Sequence, residues 1–128
     1  MLTTLRQIVE KVTQAPSLHD AMNVLVRQTR SAMQVDCCTV YFAEPQRRRY
    51  RLVASDGLAQ EAIGRVTLPY DEGLVGLVGR REELINLADA SSHPNFKYLP
   101  EVGEDDFNSF LGVPIMQQGQ VLGVLVVQ

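Results

Sequence analysis

Apolar residues recur at helical spacing in two consecutive blocks at the start of the chain. Leu5, Ile8, Val9 and Val12 form one stripe, and Thr4 with Gln7 fits a capping box ahead of it. Pro16 ends this first helix. Ser17, with Asp20 three residues on, opens a second, in which Leu18, Ala21, Met22, Leu25, Val26, Thr29 and Met33 keep the same period. Arg27, Gln28 and Arg30 fall off that stripe. The period changes at Asp36: Cys37 to Ala43 and Tyr50 to Ser55 are rich in β-formers and flank Glu44-Pro45-Gln46-Arg47, which predicts a hairpin. A turn at Asp56-Gly57 and a loop lead to a short strand from Arg65 to Leu68.

The stretch from Leu68 to Tyr98 departs from simple patterning. Gly73, Gly76 and Gly79 stripe a short helix entered through Asp71, read as its cap, with Glu72 adding charge near the positive end. Each glycine weakens a helix by about 1 kcal/mol relative to alanine, so close packing against a sheet or a ligand must offset the cost. Leu84 to Leu87 predicts a fourth strand. From Ala88 to Asp106 the chain is polar and aperiodic, with short helical turns expected at Ser91 to Phe96 and near Glu104 to Phe107. A long irregular segment of this kind inside a small domain is usually functional.

Asn108 to Met116 and Val121 to Gln128 form a second hairpin across Gln117-Gln118-Gly119-Gln120. Leu122, Val124, Leu125, Val126 and Val127 are nearly continuous, as expected of a central strand covered on both faces. Pro114 is assigned to a bulge or to a backbone site whose N–H is not needed. The sum is an α+β domain: a central antiparallel six-stranded sheet, with the N-terminal helices on one face and a short helix plus lid loop on the other. The whole of 1–128 reads as one domain, expected to continue into a C-terminal helix beyond the last strand.

Composition narrows the function. With 128 residues, 45% of them hydrophobic, the chain can bury a core, and a net charge of −3 argues against a nucleic-acid partner. Neither a membrane span nor a secretory signal is evident, which makes the cytoplasm the expected compartment. The adjacent Cys37 and Cys38 point to opposite faces of a strand and read as buried, unbridged thiols. The triplet Arg47 to Arg49 reads as a solvated hairpin tip rather than a phosphate patch.

Several motifs resemble the GAF domain, a sensory module of signalling proteins. Leu111-Gly112-Val113-Pro114-Ile115 with Leu122-Gly123-Val124-Leu125 is similar to its closing strands. The run Asp71-Glu72-Gly73-Leu74-Val75-Gly76-Leu77-Val78-Gly79-Arg80, Asn86-Leu87-Ala88-Asp89-Ala90 with His93-Pro94, and Phe96-Lys97-Tyr98 are sharper. With Leu5 to Val12, they resemble the N-terminal GAF domain of the nitrogen-related enzyme I family, phosphoenolpyruvate–protein phosphotransferases. The resemblance implies a profilin-like three-layer fold with strand order 2-1-5-4-3 or an extension of it. It also implies control of a phosphorelay by nitrogen status, with glutamine or 2-oxoglutarate as effector. The phosphotransferase domains of that family are not in this sequence. The Asn-Lys-Phe-Asp-Glu signature of cyclic-nucleotide-binding relatives and a bilin-attaching lid cysteine are both lacking.

No catalytic group or cofactor is expected. His19 lies in a helix, His93 with Asp89 reads as loop structure before a pair of reacting groups, and no cluster has metal spacing. A methionine sulfoxide reductase reading, known for one GAF class, would need a lid cysteine to resolve a sulfenic acid on Cys37 or Cys38. A ligand pocket is the stronger expectation. Tyr41, Leu74, Val75 and Phe110 would line it, Asp89, His93, Tyr98 and Ser109 would orient the ligand, and the backbone from Gly73 to Val75 would meet a carboxylate. The rival reading is a ligand-free scaffold, a homodimer formed through the two N-terminal helices.

Overall fold

The computed structural model describes residues 2–96 and 108–128. Two helices come first: α1 (Leu2–Thr13) and α2 (Leu18–Met33). The strands are β1 (Cys38–Glu44), β2 (Arg49–Asp56), β3 (Thr67–Pro69), β4 (Ile85–Leu87), β5 (Phe110–Gln117) and β6 (Gln120–Val127), with α3 (Gly73–Arg81) between β3 and β4. The sheet is ordered β3-β2-β1-β6-β5-β4, with every neighbouring pair antiparallel. Setting aside the short edge strand β3, the remaining five strands follow the implied order 2-1-5-4-3, and β3 is the one strand added.

Local chemistry accounts for most boundaries. The Ser17 hydroxyl accepts the Asp20 N–H at 3.1 Å and donates to the Asp20 carboxylate at 3.0 Å, which caps α2 as expected. Thr4 is not a cap: α1 already runs from Leu2, so Thr4 lies within the helix. At α3 the cap position falls on Glu72 instead of Asp71, and no side-chain capping bond is made there. Gly73, at φ +72°, takes the left-handed turn into this helix that a residue with a Cβ would resist.

The sheet separates two apolar layers. On one face Val26 of α2 packs with Cys38, Val40, Ala54 and Val127. On the other, Cys37, Tyr41, Tyr50, Leu52, Val124, Val126 and Phe110 meet the buried side of α3. The adjacent cysteines therefore do serve opposite faces. Arg30 of α2 spans to Asp56 at 2.9 Å and also donates to the Val35 carbonyl, tying the end of α2 to the end of β2. Leu18 and Met33, assigned to the α2 stripe, are exposed, because they sit at its two ends beyond the sheet.

Two register shifts shape the sheet. One lies opposite Val40 and Tyr41, where Val53 is the extra residue, so Leu52 and Ala54 face opposite layers. The other lies between Ile115 and Met116, opposite Leu122, and not at Pro114, which pairs in register with Val124. Pro114 is tolerated because β4 pairs only with Phe110 to Gly112, leaving that edge of β5 without a further strand to bond.

Candidate functional site

The layer opposite α2 is where the expected pocket would sit, under the connection from β4 to β5. Tyr41, Leu74, Val75 and Phe110 are brought into one buried cluster there, each no more than 7% exposed. The connection is tied at its base: Ala90, itself buried, donates its N–H to the Asn108 carbonyl at 2.7 Å. A short 3-10 turn, Ala90–Ser92, follows that tie.

The polar residues assigned to this region behave differently. The Asp89 carboxylate accepts both the Ser91 hydroxyl, at 2.8 Å, and the Ser92 hydroxyl, at 2.6 Å. These bonds, that from Ser92 first and that from Ser91 second, hold its pKa below the ordinary carboxylate value, although the residue is exposed. The His93 ring accepts the Asn95 N–H at 3.0 Å through Nδ1. Asp89 and His93 thus bond to separate partners and not to each other, as two consecutive turn anchors. Ser109 is exposed. Tyr98 and the turn expected at Glu104 to Phe107 lie outside the described residues.

One buried polar group was not legible in the sequence. The Thr39 and Ser55 hydroxyls hydrogen-bond at 2.9 Å across β1 and β2, and the Cys37 sulfur lies 3.4 Å from Thr39. Ser55 also accepts the Leu58 N–H at 3.3 Å. Thr39 and Ser55 are the buried polar side chains of this face, set among apolar neighbours. Only the bulge at Val53, which fixes how Ser55 faces, makes the pairing readable.

Burial pushes the Cys37 thiol above its ordinary range, against the opposing pull of Thr39 and Ser55. The Cys38 thiol is pushed up to about 12, again chiefly by burial. Burial thus works against the thiolate form that a thiol reductase reading would need. Among the described residues, no cluster of three or more His, Cys, Asp or Glu side chains could hold a metal.

The glycine stripe has a packing cause. A Cβ on Gly76 would stand 2.5 Å from the Tyr70 carbonyl oxygen, and one on Gly79 would stand 1.8 Å from the Tyr50 hydroxyl. Both contacts are with the sheet and its β3 connection, so the offset invoked from sequence comes from the protein itself. The arginine triplet is likewise partly spent. Arg49 donates to Glu44 at 2.6 Å, while the Arg48 guanidinium lies 5.9 Å from the centre of the Tyr70 ring. The solvated-tip reading holds for Arg47 and Arg48, which are exposed in and just after a 3-10 turn at Pro45–Arg47, whereas Arg49 is half-buried against Glu44.

Comparison with known proteins bears on what this arrangement is. The chain is 57% identical over 121 residues to a phosphoenolpyruvate-dependent phosphotransferase system protein of Escherichia coli strain K12. That match covers 94% of this chain but 16% of the relative, so the chain spans about a sixth of its length. The GAF domain of a phosphoenolpyruvate-protein phosphotransferase from Coxiella burnetii superposes with a TM-score of 0.95 at 45% identity, covering 99% of this chain and 76% of that one. The corresponding Acinetobacter domain gives 0.89 at 49% identity, covering 99% and 75%. The sequence model of the GAF domain matches residues 17–128, from the cap of α2 to the last residue, and on that extent of agreement the chain belongs to the GAF domain family.

Proposed function

We propose that this domain is a small-molecule sensor that controls autophosphorylation of a phosphoenolpyruvate–protein phosphotransferase in response to nitrogen status. The observation that carries the reading is the base of the β4–β5 connection. The 2.7 Å bond from Ala90 to Asn108 brings the two ends of that connection together beside a buried apolar wall, which suits a binding loop anchored on a rigid support. Tyr41, Leu74, Val75 and Phe110 supply that wall. Asp89, His93, Tyr98 and Ser109 are the proposed polar contacts, and the backbone from Gly73 to Val75 is the proposed seat of a carboxylate. Glutamine and 2-oxoglutarate are the proposed effectors, both carboxylate-bearing, and kinship to phosphotransferases is compatible with them. The proposed setting is the cytoplasm, where two unbridged thiols are ordinary.

A thermal-shift titration with glutamine, 2-oxoglutarate and cyclic nucleotides tests this. A ligand at a hundred times its dissociation constant should stabilise the fold by about 2.7 kcal/mol. Stabilisation by either proposed effector supports sensing, and no shift with any compound sinks it. The second reading, a homodimeric scaffold, is favoured by α1 lying on α2 while Leu18 and Met33 stay exposed. It predicts a dimeric mass by light scattering whether or not ligand is present.

A further inference from the structure

A cleft of about 380 Å³ opens between the tips of the two hairpins and the C-terminal turn of α3. It lies at the end of β1 opposite the Thr39–Ser55 pair, beside Ala43, which pairs with Tyr50. Tyr50, Tyr70, Gly79, Arg80, Glu82 and Gln120 contribute to its walls. Tyr50 and Tyr70 form a tilted aromatic pair with ring centres 4.8 Å apart.

Tyr50 makes this more than a surface groove. The residue is 4% exposed, and its hydroxyl rests against Gly79, one of the lining residues. Yet that hydroxyl hydrogen-bonds to no described residue and keeps contact with the open space of the cleft. A phenol so deeply set is ordinarily given a partner within the protein, whereas this hydroxyl is left to what enters the cleft. Here the chain has gone further: it keeps a glycine at 79, at a cost to the helix, and thereby keeps room for the hydroxyl.

The charges around it are asymmetric. The Arg80 guanidinium reaches the cleft and donates to the Tyr70 carbonyl, and Arg48 stands over the Tyr70 ring. Glu82 opposes them from the rim, as does the negative end of the α3 dipole, which Arg80 and Arg81 in the last turn offset. We propose that this cleft is a second binding site, distinct from the pocket under the β4–β5 connection, for a small oxyanion. A carboxylate or phosphate oxygen would accept the Tyr50 hydroxyl and face Arg80, with the body of the ligand against the Tyr70 ring.

The test is a ¹⁵N-edited NMR titration of the 128-residue chain with sodium acetate and with inorganic phosphate, at constant ionic strength, with chloride as control. The expected result is a saturable shift of the Gly79, Arg80 and Gln120 amides with at least one of the two anions and none with chloride. Phosphate alone identifies a phosphoryl ligand, acetate alone a carboxylate, and both together an oxyanion of either kind. Tyr50→Phe should weaken the binding about fivefold, the worth of one hydrogen bond, without lowering the thermal midpoint, since the hydroxyl has no protein partner to lose. Arg80→Gln should weaken it at least as much. Shifts that chloride reproduces, or that never saturate, would overturn the proposal. So would unchanged affinity in Tyr50→Phe, or a lowered midpoint that marks the hydroxyl as structural. Shifts confined to Leu74, Val75 and Asp89 would place the anion in the proposed sensing pocket and overturn the second site while leaving the first intact.

Discussion

Gly79 has no side chain because the Tyr50 hydroxyl takes the space: a Cβ there would meet it at 1.8 Å and its ring carbon Cζ at 2.9 Å. The ring cannot swing away, since it is buried against Tyr70. Gly79→Ala should therefore destabilise by about 1–2 kcal/mol in urea unfolding, overpacking outweighing a gain of about 1 kcal/mol in helix propensity. Adding Tyr50→Phe should recover part of that loss, because one of the two close contacts is gone. An alanine variant as stable as the parent would refute this account of the stripe. The Thr39–Ser55 pair gives a second test. Ser55→Ala strips the Leu58 N–H of its acceptor and the Thr39 hydroxyl of its nearest partner, at a cost of about 1–3 kcal/mol. Thr39→Val with Ser55→Ala should cost less than the sum of the single changes, because the second substitution removes a group the first had orphaned.

Among the elements, the β1–β2 hairpin carries its own charge lock. Glu44 ends β1, while Arg49 and Arg51, two apart on β2 and so on one face, both donate to its carboxylate, at 2.6 and 2.9 Å. Arg51 first and Arg49 second hold the Glu44 carboxyl down at about 2, from an ordinary value near 4.5. A lowered folded pKa stabilises wherever the unfolded carboxyl is ionised. The contribution is therefore complete above about pH 4.5 and disappears as pH falls towards 2. In thermal melts across that range, Glu44→Gln should sit below the parent at pH 6 and converge with it near pH 2. The gap should be small and should narrow with salt, as for any exposed pair. A gap that persisted unchanged at the acid end would mean the carboxylate charge is not what matters.

The elements also show what sequence can carry. The extent of α2 and both hairpins were legible because capping and period are local signals, written within a few residues of the boundary they set. The bulge at Val53 was not, because Leu52-Val53-Ala54 is apolar throughout and alternation cannot reveal which residue is extra. Of the two readings of Pro114, the position whose N–H is not needed fits and the bulge does not, since the shift fell at Ile115 and Met116, where the partner strand presents Leu122. Tyr41, Leu74, Val75 and Phe110 were found as a set because each sits on the apolar phase of its element. The Thr39–Ser55 pair and the Tyr50–Gly79 contact join residues 16 and 29 apart, and no local pattern records them.

At the scale of the whole molecule, the N-terminal helix stands apart from the sheet. α2 lies on β1 and β2, whereas α1 packs on α2, with Lys11 reaching Gln28 at 3.5 Å. The stretch that matches the GAF family begins after α1, at residue 17. Terminal elements open at lower free energy than the central strands of a sheet, so α1 amides should exchange with solvent well before those of β1 and β6. Deleting residues 1–15 should then lower helix content while leaving slow exchange in β1 and β6 and the ligand response intact. The same deletion separates the two proposed roles. If α1 serves as the arm of a homodimer, the shortened chain becomes monomeric by light scattering while still responding to effector. If it also loses slow exchange across β1 and β6, α1 is an integral part of the core, and a dimer arm built on it cannot be separated from folding.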